Sequence, residues 1–298
     1  MTMRARGPLA GFRWLKDAIN LGRTNPRAVF GGAALVALMS MVPSLITLPM
    51  QFAMTPGPGM LAAVMGVSML CGLLLAPMFA GYMRIIDAAD RGHAARAVDV
   101  FMPYRSGEAP RLVGYGLAML AVYVLIGALL VAVAGRELVD WYLQAISVQN
   151  GADQTTAVTA LPDGFGRAFA LGMVCALLIT GVYAISLGQV ALGGRSVLDS
   201  VRDGLVGSLK NLLPLLVLAV SGIVAMIVLV LVFGVVAAGL ALLAQFVGAW
   251  LMFALMLPLY CALMLAMFVV MFGVMYHLWR DVSGNEPSGV APAQAIVA

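Results

Sequence analysis

A small group of ionisable side chains in the segment 84–111 is the most promising place in this chain to look for chemistry. Asp87, Asp90, His93 and Asp99 are all of types that ligate metals. They form an incomplete ligand set, because no second histidine lies near His93. Arginines close by in the sequence offer counter-charges to the carboxylates: Arg84, Arg91 and Arg96. We therefore expect ion pairs at this group, and no metal.

The other reactive residue types offer no catalytic arrangement. His277 ends the last apolar stretch, where a histidine typically caps helix carbonyls or meets lipid headgroups. The three cysteines, Cys71, Cys175 and Cys261, lie in apolar stretches and lack metal-site spacing. The sequence contains no phosphate-binding glycine loop, nucleophile elbow or zinc-protease motif. We expect no catalytic residue and no cofactor, and hence a protein that is not an enzyme.

Any functional side chains in this sequence must be positioned by six long apolar stretches. The sequence is 63% hydrophobic and only 10% charged, whereas soluble domains carry about 25% charged residues. Each stretch exceeds the ~20 residues that cross a bilayer core as a helix. They lie at 28–54, 60–86, 112–134, 165–192, 212–240 and 246–278. The sequence predicts an all-α, polytopic transmembrane helical bundle with six spans.

The middle of every predicted span lacks an ionisable residue. Proton relays and ion-coupling sites in membranes are marked by such residues. An ion-coupled transporter is therefore not expected.

The basic residues alternate between the two sides of the predicted membrane. Fifteen Lys and Arg fall on the side that contains both termini, and two fall on the other. The positive-inside rule then places both termini in the cytoplasm. Membrane flanks explain the charge, so lipids are the expected partners and nucleic acid is not. Four tryptophans are predicted interface anchors, two on the inner side and two on the outer: Trp14, Trp279, Trp141 and Trp250.

An internal repeat bears on the block 212–278, which is long enough for two or three spans. Asp17 and Asn25 precede Pro26 and the first span, and Asp203 and Asn211 recur with the same spacing before the fifth. The repeat favours two spans in the block, with a turn near 245–248. Common ancestry of the two hairpins and recurrent helix capping both explain the match.

These features divide a single integral membrane domain into segments. They are a cytoplasmic amphipathic segment at 1–26, a first hairpin with its inner connection at 27–111, a central span pair at 112–192 with an outer loop at 135–164, a second amphipathic segment and hairpin at 193–279, and a flexible cytoplasmic tail at 280–298.

Both hairpins are preceded by a predicted amphipathic lead-in helix. The predicted apolar face of the first contains Phe12, Leu15, Ala18, Ile19 and Gly22, and that of the second contains Val197, Leu198, Val201, Leu205 and Leu209. Such helices either bind anionic lipid at the membrane surface or pack as elbows along the inner face of the bundle. Acidic residues interrupt both basic faces, which favours the elbow.

Small residues and prolines predict how the spans pack. Gly72, Ala76 and Ala80 recur every four residues, a spacing that lets helices approach closely in lipid. Pro43, Pro77 and Pro258 are predicted to kink their helices, because proline removes a helical hydrogen bond.

Several short motifs resemble those of a bacterial family of six-span inner-membrane proteins whose role is uncharacterised. The motifs are Trp14-Leu-Lys-Asp17, Arg23-Thr-Asn-Pro26, Pro77, Asp87-Ala-Ala-Asp-Arg-Gly92, Asp99-Val-Phe101, Tyr104-Arg105 and, more weakly, 276–281. The resemblance covers mostly the first 115 residues. It implies a six-span fold in the bacterial inner (plasma) membrane, and it implies no activity.

Two functions fit these observations. The first is a non-catalytic role in envelope organisation, as a scaffold or in binding an unidentified protein partner. The alternative is an uncoupled facilitator or transporter of a lipid or small apolar solute, with a groove lined by the proline-containing spans.

Overall fold

The computed structural model describes residues 3–55, 58–135, 141 and 164–284, and within these ranges the chain is all-α with no strand. The α-helices are α1 (Ala10–Asn20), α2 (Pro26–Ser40), α3 (Val42–Ala53), α4 (Pro58–Asp90), α5 (Met102–Arg105), α6 (Ala109–Ala134), α7 (Phe165–Ala191), α8 (Val197–Lys210), α9 (Leu212–Val247) and α10 (Ala249–Ser283). Short 3-10 helices at Leu21–Arg23 and Ala97–Phe101 precede α2 and α5. The predicted all-α bundle is confirmed.

Among the residues that the structure describes, six helical segments are long and apolar enough to cross a membrane, which agrees with the predicted span count. The first is interrupted, because α2 ends at Ser40 and α3 begins at Val42. Pro43 is the second residue of α3, where its missing N–H costs no helical hydrogen bond. The other two predicted kinks, Pro77 and Pro258, lie inside helices that continue unbroken.

The apolar block 212–278 forms two helices, as the repeat predicts. Gly248 separates α9 from α10 with a backbone φ of +118°, a conformation that side-chain-bearing residues rarely adopt. Each helix has about 35 residues and is therefore roughly 50 Å long. That length exceeds the ~30 Å hydrocarbon core, so the helices must tilt or project beyond it.

The lead-in helix α1 packs against α9 and α10, and only part of the predicted apolar face, Leu15 and Ala18, takes part in the packing. Its buried residues are Ala10, Gly11, Trp14 and Ala18. Gly11 is needed for this contact, because a Cβ there would lie 2.1 Å from the Pro214 carbonyl oxygen. The predicted face-formers Phe12 and Ile19 are instead 54% and 62% exposed. α1 is thus an elbow with a separate exposed apolar edge.

The second lead-in helix, α8, reverses the prediction more completely. It buries Ser200, Asp203, Gly204, Gly207 and Ser208, and it packs most extensively on α7. Three of the predicted core leucines are exposed: Leu198, Leu205 and Leu209. The physical reason is close approach, since small residues let the two helices touch while the leucines face outward, where lipid can cover them.

The predicted small-residue stripe on α4 is only partly correct. Ala76 and Ala80 are buried, and Ala76 lies opposite Gly116 of α6. Gly72 is exposed, and nothing lies within 4 Å of the position its Cβ would take. Closer approaches occur at Gly81 and Gly188, where a Cβ would lie 2.2 Å from the Val100 carbonyl oxygen and 2.1 Å from the Trp279 ring.

Candidate functional site

The polar segments of the chain meet at one end of the bundle. We call this end the ionic layer, and it comprises the polar side chains of residues 3–27, 84–111, 189–211 and 276–284. The Arg4 N–H donates to the Val282 carbonyl oxygen at 2.9 Å, so the two ends of the described chain lie on the same side. An even number of spans requires this arrangement.

Asp281 is the main link between the N-terminal segment and the end of α10. The Trp14 indole N–H donates to Asp281 Oδ2 at 2.9 Å, and Arg6 Nη2 lies 2.6 Å from Asp281 Oδ1. The predicted tail beginning at 280 therefore starts with an ordered helical turn that ends at Ser283. The rest of that predicted tail lies outside the described residues.

The tryptophans predicted as inner interface anchors do not contact lipid. Trp14 and Trp279 are 2% and 1% exposed, because Trp14 is covered by the elbow contact and Trp279 packs on Gly188. Trp250, predicted on the outer side, is 64% exposed, as an anchor requires. Trp141 is partly exposed with its ring 6.0 Å from that of Phe165. Most of the predicted outer loop lies outside the described residues.

The repeated Asp and Asn positions have different roles in the two halves. Asn25 caps α2 by accepting a hydrogen bond from the Ala28 N–H at 3.2 Å, with Pro26 as first helical residue. Asn211 instead accepts from the Arg6 N–H at 2.8 Å and donates to the Arg4 carbonyl oxygen at 3.0 Å. Likewise Asp203 is buried against Arg195 at 3.3 Å, whereas Asp17 is exposed.

The suspected metal group forms ion pairs, as expected. Asp87 Oδ1 pairs with Arg91 Nε at 2.8 Å, and Asp90 pairs with Arg280. The Tyr276 hydroxyl lies 3.0 Å from Asp87 and 3.2 Å from Asp90, so it joins the two carboxylates. Arg280 comes from the far end of the chain, and the sequence argument missed it.

The other two members of that group stand apart. His93 is exposed, and Asp99 Oδ2 accepts a hydrogen bond from the Arg96 N–H at 2.7 Å, which caps a 3-10 turn. His277, expected either to cap helix carbonyls or to meet headgroups, is only 5% exposed, which excludes the headgroups.

Arg84 and Arg111 close the end of α7. Arg84 Nε donates to the Ala191 carbonyl oxygen at 3.0 Å, and Arg111 donates to that of Val190. Cations at a helix C-terminus complement its dipole and its unpaired carbonyls. Arg84 also pairs with Glu108 through two hydrogen bonds of 3.0 and 2.6 Å. This hydrogen-bonded pairing lowers the pKa of Glu108 to about 2.

A cavity of about 830 Å³ lies between the helices, and it is open on one side, since lining residues such as Ile19, Tyr123 and Met271 are exposed. Residues of α1, α2, α4, α6, α7, α9 and α10 line it, and almost all of them are apolar. Its volume falls in the range of about 300–1,000 Å³ that is typical of small-molecule sites. On α10 the lining runs from Leu263 to Met275, which is about 18 Å of helix. This is close to the ~15 Å thickness of one leaflet's hydrocarbon.

Hydroxyl groups mark the deep part of the cavity. The lining includes Ser40, Tyr123, Thr180 and Tyr183. Thr180 donates to the Ala176 carbonyl oxygen at 2.8 Å. The other three hydroxyls make no hydrogen bond with any residue that the structure describes, so they are available to a ligand.

α1 forms the wall of the cavity nearest the ionic layer, through Leu15 and Ile19. The same N-terminal segment carries four exposed cations: Arg13, Lys16, Arg23 and Arg27. None of the four side chains makes an ion pair with another described residue. The site therefore combines an apolar chamber with uncompensated positive charge at one edge.

Comparison of the sequence with models of protein families, with curated proteins and with solved structures finds no match. The fold and the cavity therefore carry the functional argument by themselves.

Proposed function

We propose that this chain is a non-catalytic, multi-pass membrane protein that binds a lipid or small apolar molecule inside its bundle, as an uncoupled facilitator or carrier. The observation that carries the proposal is the apolar cavity of about 830 Å³, whose walls come from seven helices. An apolar chamber within a membrane bundle is surrounded by lipid, so an apolar or amphipathic molecule is its natural occupant.

The cavity favours this function over the scaffold or partner-binding role that the sequence alone favours. A scaffold needs an outer surface and no internal chamber. The unpartnered hydroxyls of Tyr123 and Tyr183 also support a ligand, because they add hydrogen-bonding groups to an otherwise apolar wall. Partner binding stays a prediction, as does the lack of catalysis.

Filling the cavity tests the proposal. Ala225 lines the chamber on α9, whereas Ala238 lies on the same helix outside it. We expect Ala225→Trp to abolish co-purification of lipid, measured by native mass spectrometry after mild detergent extraction, and Ala238→Trp to leave it unchanged. Wild-type protein that carries no lipid, or equal lipid in both variants, contradicts the proposal.

Movement of lipid is tested separately. We expect wild-type protein in proteoliposomes to speed the exchange of a fluorescent phospholipid between leaflets, and Ala225→Trp to remove the acceleration. Lipid binding with no exchange in the wild type would leave a binding protein and reject the facilitator.

We further propose that the protein lies in a bacterial inner membrane with the ionic layer and both termini in the cytoplasm. The excess of basic residues on that side supports this orientation. With the native cysteines replaced by serine, a cysteine introduced at Arg105 should resist a membrane-impermeant maleimide in intact cells. One introduced at Thr55 should react, and the reverse pattern would invert the topology.

A further inference from the structure

The charge beside the cavity indicates the chemical class of its ligand. Lys16 precedes Ile19 by three residues on α1, a spacing that makes their side chains neighbours, and Arg23 ends the 3-10 turn that follows α1. Ile19 lines the cavity. The two cations therefore lie on the segment that meets the cavity at Ile19.

Neither cation is neutralised by an acidic side chain among the described residues. The side chains of Lys16 and Arg23 are exposed and form no ion pair with another described residue. By contrast, the other cations of the ionic layer that stand near its acids are engaged, as in the pairs of Arg84 with Glu108 and Arg280 with Asp90.

The acidic residue of α1 does not neutralise this pair. Asp17 lies about 100° around the helix from Lys16, on the side away from Ile19. The sequence argument against lipid binding assumed that acidic residues break up the basic face. Helix periodicity separates the two charges instead, and it places Lys16 next to Leu15 and Ile19, which line the cavity.

We infer that the ligand is an anionic lipid, with its acyl chains in the cavity and its phosphate between Lys16 and Arg23. This inference rests on the proposed function. The geometry fits, because α1 lies at the ionic layer while the chamber extends about 18 Å along α10. That distance suits a headgroup at the membrane surface with its chains reaching the bilayer midplane.

Native mass spectrometry with two lipids of identical acyl chains tests the inference. We expect phosphatidylglycerol to bind the wild-type protein about 30-fold more tightly than phosphatidylcholine at low ionic strength, since each cation near an anionic lipid contributes roughly fivefold. The preference should fall as salt screens the charges.

The double variant Lys16→Gln with Arg23→Gln should bind both lipids with affinities that agree within threefold. A matched control, Arg105→Gln with Arg202→Gln, removes the same charge from exposed positions on segments that contribute no lining residue to the cavity, and it should keep the preference. Should the double variant fold poorly, Lys16→Glu alone should reduce the preference at least fivefold.

The outcomes separate the two proposals. Equal affinity of the wild type for both lipids, with binding still blocked by Ala225→Trp, overturns the anionic lipid and keeps the proposed function. Binding that is insensitive to Ala225→Trp overturns both. A preference that survives loss of Lys16 and Arg23 also overturns the inference.

Discussion

The hydrogen bond between Trp14 and Asp281 should be a measurable source of stability, because it ties α1 to the end of α10. The indole Nε1 lies 2.9 Å from Asp281 Oδ2, and the Trp14 side chain is buried at 2% exposure. A hydrogen bond to a charged acceptor contributes about 1.5–3 kcal/mol. Since the Asp281 side chain is 23% exposed, its ion pair with Arg6 adds about 1 kcal/mol or less.

From these terms we expect Asp281→Ala to lower the free energy of unfolding by about 2–4 kcal/mol. Trp14→Phe removes the donor of the same bond and should cost about 1.5–3 kcal/mol. The double variant should lose less than the sum, because the second change removes a bond already broken. A coupling energy of about 1.5 kcal/mol is expected.

The assay is reversible unfolding in mixed micelles by titration with sodium dodecyl sulphate, followed by circular dichroism. As a control, the same double-mutant cycle is measured at Trp250, which is 64% exposed. The effects of Trp250→Phe and Asp281→Ala on the free energy of unfolding should be additive within about 0.5 kcal/mol. A coupling energy between Trp14 and Asp281 below about 0.5 kcal/mol would refute the reasoning.

Three further predictions concern stability. The folded-state pKa of Glu108 is lowered from 4.5 to about 2, so its ion pair stabilises the protein fully above pH 4.5, and this stabilisation is lost as the pH falls toward 2. Glu108→Gln should therefore flatten the dependence of Tm on pH in that window. An unchanged slope would contradict this prediction. Gly188→Leu should destabilise the protein by about 1–3 kcal/mol, because the new side chain collides with Trp279. Gly72 has open space around it, so Gly72→Leu should change the stability in detergent by less than about 0.5 kcal/mol. Equal losses in the two variants would be inconsistent with the packing. Asn25→Ala should cost about 1 kcal/mol through the lost cap of α2, and Asn25→Asp should restore most of it in the same unfolding assay.

The two lead-in helices show that the sequence predicts a helix but not which of its faces is buried. Both helices were predictable from their polar and apolar periodicity. Which face each one buries was not, because the decision depends on what lies opposite. Gly204 of α8 packs against Val182 of α7, and Gly11 of α1 against Pro214 of α9. In lipid a leucine face gains nothing by facing inward, so close contact between small residues determines the orientation.

The candidate site shows the same division. The six apolar stretches predict that any cavity between the helices has apolar walls. Thr180 and Tyr183, one helical turn apart in an apolar span, could have been recognised in the sequence as hydroxyl groups on one face of a helix. Tyr123 belongs to a different helix, and only packing brings it to the same chamber. The partner of Asp90 was equally out of reach, because Arg280 lies 190 positions away.

The sequence by itself determined the class of protein, the six spans and the alternating charge of their flanks. Hydropathy and flanking charge are local properties, so each segment's insertion in the bilayer depends on its own residues. It also located the turn at Gly248 within the longest apolar block. Only the tertiary structure decided that four polar segments join in one ionic layer, that Trp14 and Trp279 lie inside it rather than in lipid, and that seven helices leave a chamber open beneath α1. Those features depend on contacts between residues far apart in the chain, which helix periodicity cannot specify.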